Sequence, residues 1–122
     1  MNWTAAAAIL LCLAVAFGAF GAHGLKDRLD SYSMGVYEKA VLYHFFHALG
    51  LLVLPALLRS DSINSSAAPW IGWLLIAGIV LFSGSLYALA ITGNRGLGAV
   101  TPFGGVSFIA AWAVLALAAI KK

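Results

Sequence analysis

Two histidines in an apolar stretch are the residues best placed to do chemistry. His44 and His47 stand three apart, which puts both on one face of a helix. They begin about one turn inside the run Ala40–Leu58. An ionisable group at that depth faces the helix bundle or a water-filled cavity. Tyr37 lies seven residues before His44, on the same stripe, and Glu38 and Lys39 sit at the mouth of the same helix. His23 closes the preceding apolar run on the same membrane side, with Asp27 and Asp30 nearby. These positions allow His23, Glu38, His44 and His47 to share one interfacial region.

Three chemistries compete for that constellation. In the leading one, each histidine donates a hydrogen bond to a neighbouring helix backbone or to Ser83, Ser85 or Tyr87. In the second, the imidazoles handle protons or ions, because histidine changes charge near physiological pH. In the third, they hold a metal, haem or quinone. Imidazoles at i and i+3 with a carboxylate can bind zinc, but the set matches no known ligand spacing, so no metal and no cofactor are expected.

Arg95 stands in the glycine-rich link Gly93–Thr101. Backbone N–H groups of Gly96 and Gly98 could cradle an anion beside it. Without a phosphate-binding fingerprint, the simpler expectation is a tight turn with Arg95 touching a lipid headgroup. No nucleophile–base–acid set appears. Ser83 and Ser85 lie mid-helix, where hydroxyls bond to backbone. No catalytic residue is expected, and the chain reads as a non-enzyme.

The elements that must position these residues follow from composition. Of 122 residues, 63% are apolar and 9% charged, and the mean hydropathy is +1.00. Soluble domains carry about 25% charged residues. This chain cannot cover a water-facing surface and is read as an integral membrane protein. The net charge of +3 comes from basic residues scattered singly, which excludes a phosphate-tracking stripe and hence nucleic acid. They suit anionic lipid headgroups instead. The single cysteine, Cys12, cannot form an intrachain disulfide and reads as a small apolar residue.

Four apolar segments are each long enough to cross a hydrocarbon core of about 30 Å. Their expected limits are residues 3–22, 32–58, 69–92 and 102–121, forming one membrane domain. A backbone in lipid must satisfy its own hydrogen bonds, so the segments are helices. The first lacks a basic stretch before it and is read as a retained helix rather than a cleaved leader. Asn2 or Thr4 can cap it, Gly93 suits a left-handed stop, and Thr101 is expected to cap the fourth helix ahead of Pro102. Short links make antiparallel neighbours. The fold class is all-α: a four-transmembrane-helix antiparallel bundle. The link from His23 to Lys39 carries six of the eleven charges and is expected to hold a short interfacial segment. Helix 2 is expected to begin near Tyr32 and protrude by two turns.

Small residues let helices approach in lipid. Ala14, Gly18 and Ala22 form one such stripe, and Gly84, Ala88 and Thr92 another. They serve contacts within one bundle or the seam of a homo-oligomer. The expected partners are membrane lipid, a second copy of the chain or another membrane protein. A small transporter or channel component is the alternative, and a redox subunit the second alternative.

Four stretches carry a family resemblance. They are Gly18–Leu25, then Tyr43-His44 with His47-Ala48-Leu49, then Leu81–Tyr87, and Thr101–Gly105 with Trp112. Over nearly its whole length the chain resembles the small bacterial membrane proteins of domain-of-unknown-function family 423, which have a small eukaryotic transmembrane relative. The resemblance implies a four-helix multi-pass protein of the bacterial cytoplasmic membrane and no established activity. Both termini fall on one side. The positive charges are balanced across the two sides, and the cytoplasm is preferred because the 23–39 link holds three of the four acids.

Overall fold

A computed structural model describes residues 1–122. It contains four long helices: α1 (Trp3–Leu25), α2 (Ser31–Arg59), α3 (Ser65–Thr92) and α4 (Arg95–Ile120). The architecture is an all-α membrane bundle, as composition requires. Short links force antiparallel neighbours, and α2 and α3 form the centre, with α1 against α2 and α4 against α3. The most apolar stretch of α3 is 44% buried, against 17% for α1, so α3 is the core helix and α1 the most lipid-facing.

The larger core cluster gathers Trp3, Leu51, Leu54, Ile71, Leu75 and Phe108. A smaller one, towards the α1–α2 turn, joins Leu25, Tyr37 and Ala90. Large apolar side chains such as Ile9, Phe46, Val106, Ile109 and Ile120 point outward, which a protein in water would not tolerate over so much surface.

The helix ends show how the sequence sets the boundaries. The Asn2 side chain accepts the Ala5 N–H at 3.0 Å and caps α1. The Asp30 side chain accepts the Ser33 N–H at 2.7 Å and caps α2. Gly93 stops α3 at φ 74°, a left-handed conformation that only glycine adopts freely.

Three boundary expectations are corrected. First, α1 does not stop at residue 22. It continues as a π-helical turn, Gly21–Leu25, because Leu25 is buried with Tyr37 and Ala90. The link shrinks to residues 26–30, and no separate interfacial helix forms. Second, α4 opens earlier than residue 102, with a 3-10 turn over Arg95–Ala99. Third, Thr101 does not cap α4. Val100 takes the cap position of the α-helical part, Thr101–Ile120, without a side-chain bond, and the Thr101 hydroxyl lies 2.6 Å from the Ser85 hydroxyl on α3.

A second π-helical turn, Ile79–Ser83, interrupts α3. Such turns leave backbone groups out of the regular ladder and recur at sites with a special role. Both occur where helices are pinned to α2.

Candidate polar site within the bundle

The site is built on the buried stripe of α2. Successive helical residues advance about 100°, so seven residues return almost to the same face. Tyr37 and His44 therefore share the inner face, and both are 2% exposed. Glu38 stands six residues before His44, roughly 120° round the helix, and is exposed. That rotation is why Glu38 does not join the histidines.

Each buried polar group on this face pins a neighbouring helix. Tyr37 donates its hydroxyl hydrogen to the Phe17 carbonyl of α1, just ahead of the Gly21–Leu25 π turn. The Ser83 hydroxyl donates to the Ala40 carbonyl at 2.8 Å, joining α3 to α2. His44 Nδ1 lies 2.8 Å from the Tyr87 hydroxyl of α3. The Tyr87 ring stands edge-on to Phe17 at 5.0 Å and to Tyr37 at 5.3 Å. Ser107 of α4 donates to the Leu74 carbonyl of α3 at 2.7 Å.

His47 turns elsewhere. Its Nδ1–H donates to the Tyr43 carbonyl one turn earlier at 2.8 Å. Its ring stacks on Phe108 of α4, with centroids 3.5 Å apart. His44 pairs with Tyr87, one of the partners expected for it, whereas His47 bonds its own helix and not a neighbouring one. One atom is left over. His44 Nε2 is buried without a hydrogen-bond partner.

The expected convergence of His23, Glu38, His44 and His47 is corrected. His23 and Glu38 are exposed, and no three His, Cys, Asp or Glu side chains come together. Sharing a membrane side does not place residues on one face.

Arg95 is exposed, but the glycine cradle beside it does not form. The Gly96 N–H bonds the Asn94 side chain at 3.1 Å. The Arg95 guanidinium instead sits over the Tyr32 ring at 4.1 Å, a cation–π contact joining the start of α4 to the start of α2.

Asp30 beneath it titrates below the usual carboxylate range. The Ser33 N–H is the main cause, then the Ser33 side chain, with a smaller contribution from the Arg95 charge. A depressed carboxylate stabilises the fold above its unfolded pKa of about 3.8, and that contribution disappears as pH falls through the folded value. Protection of the Ser33 amide from exchange, taken relative to the intrinsic rate at each pH, should fall only below the ordinary carboxylate range, and Asp30→Ala should abolish it throughout.

Of the small-residue stripes, the one on α1 is partly used inside the bundle. Ala14 is fully buried, and a side chain at Gly18 would meet Val41 of α2 at 3.5 Å. Ala22 is exposed. On α3, Gly84 and Ala88 are half-buried and Thr92 is exposed, its hydroxyl donating to the Ala88 carbonyl of its own helix at 2.6 Å. The tightest approaches lie elsewhere. Gly72 receives the Trp3 ring, Gly78 the Phe108 ring, and Gly104 the backbone of Phe82. Each glycine is matched to an aromatic residue on another helix, a pairing with no local signature in sequence.

Comparison with known proteins agrees with this architecture. A family model described as "Protein of unknown function (DUF423)" matches residues 17–105. A "UPF0382 membrane protein" of Staphylococcus epidermidis is 54% identical over 109 residues, covering 89% of this chain and 87% of the relative. The "UPF0382 membrane protein YwdK" of Bacillus subtilis is 48% identical over 114 residues, covering 93% and 92% respectively. No solved structure matches the chain. With four apolar spans and these bacterial relatives, it is a small multi-pass integral membrane protein, and it belongs to the DUF423 family.

Proposed function

We propose that this protein is a non-enzymatic membrane bundle that acts by packing with lipid, with a second copy of itself or with another membrane protein. The observation that carries this reading is the use of the buried polar side chains. Tyr37, Ser83 and Ser107 each hold a backbone carbonyl of a neighbouring helix, while His44–Tyr87 and Ser85–Thr101 pair across helices. Groups used in this way are not arranged around a space where a substrate could react. A cytoplasmic side for both termini is part of this reading, supported by three of the four acids lying in the α1–α2 segment 23–39, and a reporter fused to the C-terminus reads that orientation.

Proton handling is the second reading, and the unpartnered His44 Nε2 favours it. Proteoliposomes loaded with a pH-sensitive dye separate the two. The bundle reading expects the same proton leak with wild type, His44→Ala or no protein. A pH-driven flux that His44→Ala abolishes would establish the second reading and overturn the first.

A further inference from the structure

A groove of about 500 Å³ opens between the first turns of α2 and the last turns of α3, lined by Ser31, Tyr32, Gly35, Val36, Lys39 and Leu86. Its depth in the membrane follows from helix length. The 29 residues of α2 rise about 43 Å, some 13 Å more than the hydrocarbon core needs. The apolar run Ala40–Leu58 fills that core on its own. Residues 31–39, and with them the groove, therefore lie at headgroup level.

The charged side chains that line and overhang the groove are both cations. Lys39 is in its wall, and Arg95 lies over the Tyr32 ring that forms another wall. Neither cation is in an ion pair, since the one salt bridge joins Lys122 to Asp61 at the opposite end. No acidic side chain lines the groove. Glu38, next in sequence to Lys39, borders separate grooves on another side of α2. The Asp30 carboxylate near Arg95 is held by the Ser33 N–H. Val36, about one turn nearer the surface than Lys39, and Leu86 of α3 add apolar wall to the groove.

We propose that this groove binds an anionic phospholipid. Lys39 and Arg95 hold the phosphate, Ser31 supplies a hydroxyl, Val36 lies beside the headgroup, and the apolar part of the lipid lies against Leu86. A headgroup without an amine is preferred. Nothing acidic lines the groove to meet an ammonium, and the Tyr32 face that could do so is occupied by Arg95. This deepens the reading that the bundle works through lipid contact, and it stands or falls independently of the flux assay above.

The test is native mass spectrometry of the full chain in mild detergent, titrated with phosphatidylglycerol or phosphatidylcholine. One phosphatidylglycerol should be retained in preference to phosphatidylcholine. Lys39→Gln and Arg95→Gln should each weaken it about fivefold, and Arg59→Gln, at the other end, should not. Gly35→Leu keeps both cations and fills the groove. A Cβ at residue 35 meets nothing within 4 Å, so the added side chain enters open space, and the variant should lose the lipid while unfolding in detergent like wild type. Retention unchanged in Gly35→Leu, or in the Lys39/Arg95 double variant, would overturn the site. Displacement of the lipid by millimolar inorganic phosphate would show a free-anion pocket and overturn the lipid assignment.

Discussion

Gly104→Val is expected to destabilise the bundle by about 2–3 kcal/mol, near or above the upper end of overpacking costs. A Cβ at this position would lie 2.7 Å from the Phe82 Cα, on the backbone of α3. A clashing side chain can rotate away. A helix backbone can yield only by separating α3 from α4. Phe82 also sits in the Ile79–Ser83 π turn, and Ser83 next to it holds the Ala40 carbonyl, so moving α3 disturbs its contact with α2 as well. Reversible unfolding in detergent measures the loss. Gly35→Ala is the matched control. It has open space around it and gains helix propensity, so it should be neutral or slightly stabilising. Equal stability of the two variants would show that α3 and α4 do not approach at residues 82 and 104.

His44→Ala should cost about 2–4 kcal/mol. It removes a buried ring, leaves a cavity and strands the Tyr87 hydroxyl. Tyr87→Phe keeps the ring contacts to Phe17 and Tyr37 and removes only the hydroxyl, so it should cost less, about 1 kcal/mol. The pair then yields a double-mutant cycle. Hydrogen bonds between membrane helices average about 0.6 kcal/mol and reach about 1.7. A coupling in that range between His44→Ala and Tyr87→Phe is expected. Strict additivity would mean that the imidazole and the phenol are neighbours without an energetic bond.

Much of this arrangement was legible in the sequence, for identifiable reasons. The four spans follow from length and hydropathy, because a chain with so few charges must solve its backbone hydrogen bonding in lipid. The helix 2 limits, expected at 32–58 and found at Ser31–Arg59, followed from the apolar run and the charge at Arg59 that ends it. The Tyr37–His44 stripe followed from seven-residue spacing. Tyr87 as a histidine partner followed from how few polar groups the spans contain.

Other features were hidden because they depend on partners far along the chain. The α1 stop was misplaced because Leu25 is buried by Tyr37 and Ala90, neither of which is near it in sequence. Thr101 looks like a cap in its own segment, but Ser85 draws its hydroxyl away. His23 and Glu38 were grouped with the buried histidines by membrane side, and helix rotation separates them. The pairing of Gly72, Gly78 and Gly104 with Trp3, Phe108 and Phe82 exists only once helices are packed.

The central claim is that the intramembrane histidines hold helices together and hold nothing else. Native mass spectrometry of the protein released from its own membrane tests this most directly. The claim predicts the mass of the chain, or a whole multiple of it, carrying ordinary phospholipid alone in wild type and in His47→Ala. A metal, haem or quinone retained one per chain by wild type, and lost in His44→Ala or His47→Ala, would contradict it.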